Sequence, residues 1–455
     1  MAAYSIIRKS ELEGHLRMDA EYYQPEYLNL VKVLEESKAV SIRSVVATPK
    51  IKFQPHKDEP FQYIEISEVD LLTGEYNQVE ILGENAPDRA QWIVRPDDVI
   101  VSLVRPIRNA VSLIGQDVKN LVCSSGFAVL KPEKIEPEYL FVYLKLDSII
   151  KLLDRRTTAT MYPAITVEDV LETKIYLGDK NFREDIKNQV VELRKELANS
   201  RLFYAQAEQL LLKELGLENF EREAAQGLNF AIVSLSEIKK ADRMDSEYFQ
   251  VIHKKMIEKV VAKLKILTVF DIFEFVRGMF VPTEFYTNEK TKRPFIRIKE
   301  LTGRVGINEQ EVIFLNEKYP NDTKNTLLEN DLVVAIIGDT IGRVNLIEKE
   351  LAGGFCSNNM VRLRIKKEWD DKFLPEFAEI LLQSSFIQRQ IRQKMAQTGQ
   401  PKINDKELKN MVIPILPQQT QQKIAELVRK SHQARREAQE LLAQAKQKVE
   451  KLIEN

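Results

Sequence analysis

The chain carries one motif twice, half a chain length apart. Leu16-Arg-Met-Asp-Ala-Glu-Tyr-Tyr-Gln24 returns as Asp242-Arg-Met-Asp-Ser-Glu-Tyr-Phe-Gln250, which places Arg17 and Arg243 226 positions apart in a sequence of 455 residues. Repeats that stack into solenoids have periods of about 20–50 residues. The spacing therefore indicates a duplicated domain, and it predicts two similar surfaces that face a ligand with two parts.

The duplication continues through strand-like segments and a loop. Four segments of the first half have partners in the second: Phe61–Ile66 with Arg293–Ile298, Arg95–Val101 with Glu329–Val334, Cys123-Ser124 with Cys356-Ser357, and Met161–Ile165 with Gly399–Ile403. Both cysteines fall in apolar strand patterns, which favours buried packing residues over metal ligands or redox groups.

Composition narrows the class of protein. A chain with 44% hydrophobic and 30% charged residues can bury real cores and keep a charged surface, and its length allows two or three domains at about 150 residues each. A net charge of −1 argues against a surface that is basic overall and binds any polyanion. It leaves room for DNA binding through local basic loops. Two cysteines exclude a disulfide framework and indicate a reducing, cytoplasmic setting. The N-terminus turns polar too early for a signal peptide, and no apolar run is long enough to predict a membrane helix.

Each half ends in a pattern typical of a long coiled-coil helix. Apolar and small residues recur in alternating steps of three and four. The predicted seam contains Leu193, Leu197, Ser200, Ala207, Leu211, Ile424, Val428, Ser431, Ala438 and Leu442. Gly216 and Pro417 mark expected helix boundaries. Two helices of about 35 residues, each on the order of 50 Å long, are expected to pack antiparallel about a pseudo-twofold axis. The alternative is that each forms a solvated hairpin that stabilises only its own half.

The usual catalytic motifs are absent from the sequence. It has no Pro-Pro pair, so the Asn/Asp-Pro-Pro-aromatic motif of amino-methyltransferases is missing, as are G-x-G-x-x-G and phosphate-binding loops. The four histidines lie far apart, and none recurs at an equivalent position. Gly338-Asp-Thr-Ile-Gly342 is interpreted as a strand turn. The chain is therefore predicted to do no covalent chemistry alone and to hold no metal or cofactor.

Taken together, these segments resemble the specificity subunits of type I restriction-modification systems. The resemblance is carried by the repeated motif at Arg17 and Arg243, by Thr398-Gly-Gln-Pro-Lys-Ile403, and by Ile413-Pro-Ile-Leu-Pro-Gln-Gln419 before Gln422-Lys-Ile-Ala-Glu426. In the first half the loop is Ala159-Thr-Met-Tyr-Pro163, without the glycine. The resemblance covers the whole chain, and its specificity comes from the order and duplication of the segments.

The resemblance implies a mixed α/β fold with two similar target-recognition domains related by pseudo-twofold symmetry and joined by two long antiparallel coiled-coil helices. The implied domains are 1–180 (first target-recognition domain), 181–217 (first long helix), 218–228 (linker), 229–416 (second target-recognition domain) and 417–455 (second long helix). Each domain would recognise one half of a split, asymmetric site in double-stranded DNA. The helices would set the spacer and dock two methyltransferase subunits, with two restriction subunits as an optional addition.

A division of labour between subunits also follows from the resemblance. A base inside a duplex must be flipped out before it is methylated. The partner methyltransferase would do this and carry S-adenosylmethionine, so no cofactor is expected in this chain, which would work in the prokaryotic cytoplasm.

Candidate DNA-contacting residues are sought in polar loops that interrupt strand patterns, because Arg and Lys suit guanine whereas Asn and Gln suit adenine. The first-half candidates are Lys50, Lys52, Arg105, Arg108, Asn109, Arg155, Arg156, Thr158 and Tyr162, the last as a stacking or phosphate contact. The second-half candidates are Arg277, Lys292, Arg293, Thr340, Arg343, Asn345, Gln397, Gln400 and Lys402. The alternative for each is a solvated loop residue. The recurring pairs of Arg17 with Asp19 and Arg243 with Asp245 favour a structural salt bridge or helix cap over DNA contact.

Two further functions remain open at this point. One is a coiled-coil assembly adaptor with vestigial DNA-reading domains, for which the purified complex would show no sequence-selective DNA retention. The other is a degenerate methyltransferase or nuclease, for which the isolated chain would bind S-adenosylmethionine or cleave DNA.

Overall fold

The computed structural model describes residues 5–12, 17–20, 22–157, 161–220, 232–301, 306–320, 322–395 and 401–454, apart from the side chains of Glu11 and Gln310. The chain divides into two compact units. Unit 1 comprises Met1–Leu197 and Arg435–Asn455, and unit 2 comprises Ala198–Ala434. The division falls within two long helices, and each unit combines helices with small sheets.

Unit 1 contains short strands and four helices before the first long helix. The strands are β1 (Val40–Ser41), β2 (Val46–Ala47), β3 (Pro60–Ile64), β4 (Val79–Leu82), β5 (Ala90–Ile93), β6 (Val99–Ser102), β7 (Val111–Leu113), β8 (Leu121–Ser124), β9 (Phe127–Pro132) and β10 (Lys174–Ile175). The helices are α1 (Pro25–Glu36), α2 (Pro137–Leu144), α3 (Asp147–Asp154), α4 (Val167–Glu172) and α5 (Lys180–Leu215).

Two four-stranded sheets form the centre of unit 1, in the orders β2-β9-β6-β7 and β4-β3-β8-β5, and β1 pairs with β10. Strand β6 is buried along its whole length. Val99 and Val101 pack into the core that holds the helices, whereas Ile100 packs into a separate cluster on the opposite face. This explains why the strand is apolar throughout, because a strand covered on both faces cannot alternate with polar residues.

Unit 2 contains a corresponding set of elements. Its strands are β11 (Lys265–Thr268), β12 (Phe273–Arg277), β13 (Tyr286–Thr287), β14 (Pro294–Ile296), β15 (Ile313–Leu315), β16 (Leu332–Ala335), β17 (Val344–Leu346), β18 (Phe355–Cys356), β19 (Met360–Ile365) and β20 (Val412–Ile415). Its helices are α6 (Leu235–Ala241), α7 (Val251–Val261), α8 (Val269–Ile272), α9 (Pro375–Gln383), α10 (Ser385–Lys394), α11 (Asp405–Lys409) and α12 (Gln418–Glu454).

Most of the sheet topology of unit 1 recurs in unit 2, but one outer strand changes edge: β5 lies beside the Cys123 strand β8, whereas β13 lies on the opposite edge, beside β15. The orders are β12-β19-β16-β17 and β13-β15-β14-β18, with β11 paired to β20. Cys123 lies in parallel register with Ile64, and Cys356 lies in parallel register with Ile296. Both cysteines are buried, and burial raises the pKa of each thiol to about 12. The prediction that they are equivalent packing residues is confirmed.

The repeated motif closes a helix end in each unit. Arg17 pairs with Asp19 at 2.5 Å and donates to the Thr157 carbonyl, which follows α3. Arg243 pairs with Asp245 at 2.7 Å and donates to two backbone carbonyls at the end of α10, each at 3.1 Å. In unit 2 a cation suits this position because the last carbonyls of a helix lack intrahelical donors. In unit 1 the acceptor lies in the turn that follows α3. The predicted structural salt bridge is confirmed in both units.

The long helices begin and end where the sequence indicates. Helix α12 starts directly after Pro417. Helix α5 ends before Gly216, whose φ of 70° allows the Leu217 N–H to bond back to the Leu212 carbonyl at 2.8 Å. This return of the chain is a Schellman motif, which favours glycine at the left-handed position.

All ten residues of the predicted seam are buried. Within unit 1, the first half of α5 packs with the end of α12 through Ile186, Val190, Leu193 and Leu197 against Ala438, Leu442, Ala445, Val449 and Ile453. Within unit 2, Tyr204, Ala207 and Leu211 share a core with Ile424 and Val428. Ser200 Oγ and Ser431 Oγ lie 3.1 Å apart, and their small side chains allow close approach of the two helices.

Candidate nucleic-acid interface

In unit 1, two loop segments run side by side beyond the end of β6. One consists of residues 103–109 and the other of residues 161–165. The Arg105 N–H donates to the Pro163 carbonyl at 2.7 Å, and the neighbouring residues form an antiparallel bridge. We call this pair of segments composite loop 1. It brings together predicted candidates that lie more than fifty positions apart in the sequence.

Unit 2 builds the same arrangement at the end of β16. Residues 336–343 lie beside residues 401–403, the Gly338 N–H donates to the Pro401 carbonyl at 2.9 Å, and the adjacent residues again form an antiparallel bridge. We call this pair composite loop 2. Because Pro401 occupies the place that Pro163 has in unit 1, the predicted equivalence of the two proline-containing segments is confirmed for the described residues.

Composite loop 1 presents arginine and aromatic side chains. The Arg105 guanidinium lies 5.5 Å from the centre of the Tyr162 ring, within the range of a cation–π contact. Tyr162 is 67% exposed, and Arg108 is also exposed. The arrangement can offer hydrogen-bond donors and a flat ring to an anionic, base-containing ligand.

The base of composite loop 1 is held by a buried lysine. Asn109 has a φ of 59°, and its side chain donates to the Lys145 carbonyl at 3.0 Å. Lys145 Nζ donates in turn to the carbonyls of Asn109 and Leu71, at 3.2 and 3.0 Å. Asn109 is thus a loop-anchoring residue, with its amide directed to the protein rather than to a base edge.

In composite loop 2 the anchoring residues differ. Gln388 Nε2 donates to the Gly342 carbonyl at 2.8 Å, and Arg343 Nη1 donates to the Leu301 carbonyl at 2.8 Å. Gly342 has a φ of 84°, and a Cβ atom there would lie 2.5 Å from the Gln388 side chain, so glycine is required. Arg343 and Lys402 remain exposed, whereas Thr340 is half-buried.

Three candidates are not available to DNA, two because they are buried and one because acidic side chains neutralise its charge. Asn345 is fully buried in β17 opposite Val333, so its amide does not reach solvent. Arg155 is buried, and its guanidinium lies 4.4 Å from the centre of the Tyr22 ring. Arg156 pairs with Glu172 at 3.1 Å and with Asp169 at 3.6 Å. Arg155 and Arg156 contact other side chains of the fold and Asn345 is enclosed by it, so the three residues do not belong to the candidate surface.

The remaining candidates are dispersed. Lys50, Lys52 and Lys292 are exposed. Arg277 pairs with Asp405 at 3.2 Å, and Arg293 donates to the Tyr319 carbonyl at 2.5 Å. Thr158, Gln397 and Gln400 lie outside the described residues.

Residue-type reasoning missed four contributors. Lys145 and Gln388 lie at or within helices and donate to backbone carbonyls, so a pattern of polar loop residues does not indicate them. Ile107 and Met161 are apolar, and the pairing of side chains with bases points only to polar and aromatic residues. The sequence does give one sign that Met161 is exposed. Its loop position is occupied in the other half by Gly399, which is followed by the polar Gln400.

The described residues contain neither a cluster suited to a metal ion nor a helix suited to a membrane. No group of three or more His, Cys, Asp or Glu side chains is placed to hold a metal ion there. Within the same residues, no helix combines the length and apolar character needed to cross a membrane.

Comparison with known proteins identifies a family domain in the second half. Residues 262–450 match the type I restriction modification DNA specificity domain. A segment of 123 residues is 25% identical to the type I restriction enzyme HindI specificity subunit of Haemophilus influenzae, and it covers 26% of this chain. That segment spans 27% of the relative, about a quarter of its length.

Two solved structures are similar over most of their length. The HsdS subunit of Thermoanaerobacter tengcongensis is 20% identical, with 92% of this chain and 95% of that chain covered at a TM-score of 0.32. The type I restriction-modification S subunit of M. genitalium is 14% identical, with 91% and 94% covered at a TM-score of 0.38. The domain and relative matches confirm the resemblance predicted from the sequence. Because both names designate the specificity component, they also confirm the prediction that the chain is not an enzyme.

Proposed function

We propose that this chain, a member of the specificity-subunit family of type I restriction-modification systems, selects the DNA sequence on which the other subunits act. Each target-recognition domain binds one half of a split, asymmetric site in double-stranded DNA. The proposed domains are residues 1–180 and 229–416, followed by the long helices 181–217 and 417–455, with a linker at 218–228.

The recurrence of the composite loop carries this proposal. The same backbone arrangement occurs in both units, but the exposed side chains differ. Composite loop 1 offers the exposed Arg108 and Tyr162 beside the half-buried Arg105, whereas composite loop 2 offers the exposed Arg343 and Lys402. A shared scaffold with different donors suits two different base sequences, since sequence is read by side-chain contacts to base edges.

The two long helices are proposed to pack antiparallel about a pseudo-twofold axis and to set the spacer. Ser200 and Ser431 are equivalent in the duplicated pattern and contact each other, as residues on a twofold axis do. Gln189 bonds to Gln444 at 3.3 Å, which fits opposite helix directions. A helix of 36 residues is about 54 Å long, which is long enough to span the ~34–36 Å between half-sites one DNA turn apart.

The partners follow from the same proposal. Two methyltransferase subunits dock on the helices and supply S-adenosylmethionine, and two restriction subunits join where the system has them. The chain itself is proposed to need no cofactor and to work in the prokaryotic cytoplasm.

Mapping of methylated bases tests the proposal directly. The chain would be co-expressed with its methyltransferase in cells that otherwise lack both, and genomic methylation would be mapped by long-read sequencing. We expect a motif in two parts separated by unspecified bases. A one-part motif, or methylation that is unchanged without this chain, contradicts the proposal.

Exchange of one domain provides the matched control. When residues 1–180 are replaced by the corresponding domain of another specificity subunit, only one half of the motif should change. The reciprocal exchange of 229–416 should change only the other half. If either exchange alters both halves, the assignment of one domain to one half-site is wrong.

A further inference from the structure

Composite loop 1 has an exposed apolar tip. Ile107 is 55% exposed, Met161 is 79% exposed and Tyr162 is 67% exposed. A single exposed apolar residue needs no explanation. These three, however, lie on two loop segments joined by a backbone bridge, and none of them contributes to a core. We call Ile107, Met161 and Tyr162 the apolar tip.

Cations flank the apolar tip. Arg105 lies against the Tyr162 ring, and Arg108 is exposed in the residue after Ile107. A partner for this surface must therefore combine negative charge with flat apolar groups. Duplex DNA has both features, with phosphates on the outside and stacked bases within.

The tip rests on a firmly held support. Arg105 and Asn109, at φ values of 49° and 59°, adopt left-handed conformations on either side of a short 3-10 turn. Such conformations persist only where the surroundings enforce them. Here the hydrogen bonds between Asn109 and the buried Lys145 do so. A held loop can transmit force to a ligand, which a freely moving loop cannot.

Unit 2 lacks this feature among its described residues. Gly338 takes the place of Arg105, and Lys402 takes the place of Ala164. No large apolar side chain in the described part of composite loop 2 is exposed. In the sequence, Gly399 and Gln400 stand where the first half has Met161 and Tyr162, so the two apolar residues are particular to the first domain.

From these observations we propose that the apolar tip inserts at a base step and partly unstacks it. This inference rests on the proposed function and adds that the first domain senses how easily its half-site deforms. Inserted Met, Ile and other apolar side chains kink DNA in this way, and pyrimidine–purine steps yield most easily. The flanking arginines hold the phosphates while the step opens.

Fluorescent base analogues provide the test. In the complex of this chain with its methyltransferase, 2-aminopurine would be placed in turn at each adenine position of both half-sites and at substituted positions beside them. Positions at or next to the methylated base would be left out, because base flipping also raises the signal there. We expect an increase in fluorescence at one step of the first half-site and no such increase in the second.

Variants separate insertion from other roles. The double variant Met161→Ala, Tyr162→Ala should abolish the fluorescence increase and weaken binding on the order of tenfold. Tyr162→Phe should retain both properties, because stacking does not need the hydroxyl. Met18→Ala is the matched control, since Met18 is 80% exposed in the same unit but lies outside the tip.

Each outcome decides a different claim. If the complex binds its site but no step brightens and the double variant binds within twofold of wild type, insertion is wrong and the proposed function stands. If the double variant loses the methyltransferase in gel filtration but keeps its DNA affinity, the tip is a protein contact. If the wild-type complex shows no sequence preference, the proposed function itself fails.

Discussion

His432 of α12 is buried between two glutamates of unit 2. Its Nε2 atom lies 3.0 Å from Glu379 Oε2, and its Nδ1 atom lies 3.5 Å from Glu348 Oε1. Burial alone would lower the pKa of His432, but the two carboxylates outweigh burial and raise it to about 10. The imidazole is therefore charged at neutral pH and ties the last helix to unit 2.

Replacing His432 by Gln should destabilise unit 2 by about 3–5 kcal/mol near pH 6, because it leaves the Glu379 carboxylate buried without its cation. The folded-state pKa of about 10 exceeds the ordinary 6.5. The stability that protonation adds is therefore complete below pH 6.5 and declines as pH rises toward 10. Urea unfolding of both proteins between pH 6 and 10 should show the difference narrowing. A constant difference, or an equal loss in the exposed control His56→Gln, would contradict this.

Lys145 is the other buried cation with a large effect on its surroundings. Burial lowers its pKa to about 7, and its ammonium holds the carbonyl of Asn109 at the base of composite loop 1. At the corresponding position of unit 2, Gln383 Nε2 donates to the Val344 carbonyl at 2.6 Å. That carbonyl belongs to β17, and the carbonyl of Gly342 in composite loop 2 is held by Gln388. In unit 2 both donors are thus uncharged amides.

Lys145→Met should weaken binding of the first half-site several-fold, because the loop carbonyls lose their donor, whereas Lys145→Gln should stay close to wild type. Competition assays with DNA altered in one half-site at a time would measure this. Equal losses for Met and Gln would mean that size or charge at this position matters, and not hydrogen bonding.

The sequence predicted that Arg105 and Arg108 of composite loop 1 and Lys402 of composite loop 2 lie in surface loops, since basic loops recur there in duplicated positions. It could not predict that Asn345 is buried or that Arg156 is paired with acidic groups. An isolated Asn in a strand carries no sign of which face it occupies, and the partners of Arg156 come from α4. Those properties arise only when distant segments meet.

At the level of elements, periodicity was a good guide where helices are long. Helices α5 and α12, of 36 and 37 residues, each carry a regular seam of apolar and small residues. Gly216 and Pro417 mark two of the helix boundaries. The two-residue strands β1 and β2 have no such pattern. They are defined by pairing with β10 and β9, so tertiary contact and not local sequence makes them strands.

The duplicated motif stabilises the region at the end of a helix and does not contact a ligand. Arg243→Ala should destabilise unit 2 by about 1–3 kcal/mol, because two helix-end carbonyls and Asp245 lose a charged donor. Hydrogen exchange should show faster opening at the end of α10 and no change at α3. Arg17→Ala is the matched variant and should do the reverse. Loss of protection in both units from either change would contradict a local role.

At the scale of the whole molecule, the core of unit 1 is not made from one stretch of chain. Ala438, Leu442, Ala445, Val449 and Ile453 of α12 complete the cluster that begins with the first strands and helices. Arg435 adds an ion pair with Asp70. Unit 2, in contrast, draws its core from a continuous stretch, Ala198–Ala434.

Ending the chain after Ala434 should therefore damage unit 1 and spare unit 2. Five buried side chains are removed from the core of unit 1, and α5 is left with an exposed apolar stripe. Limited proteolysis with mass spectrometry should find early cuts between residues 5 and 197 and later cuts in 232–434. Val449→Ala should weaken unit 1 in the same direction, whereas the exposed control Glu440→Ala should not. Early cuts in both units would contradict the prediction.

This discontinuity has a consequence for biosynthesis. A ribosome makes the first domain early, yet residues that complete its core emerge some 240 positions after Leu197. During that interval the apolar stripe of α5 has no permanent cover and is open to chaperones or to aggregation. The part of the protein that is translated first is thus the part that finishes folding last.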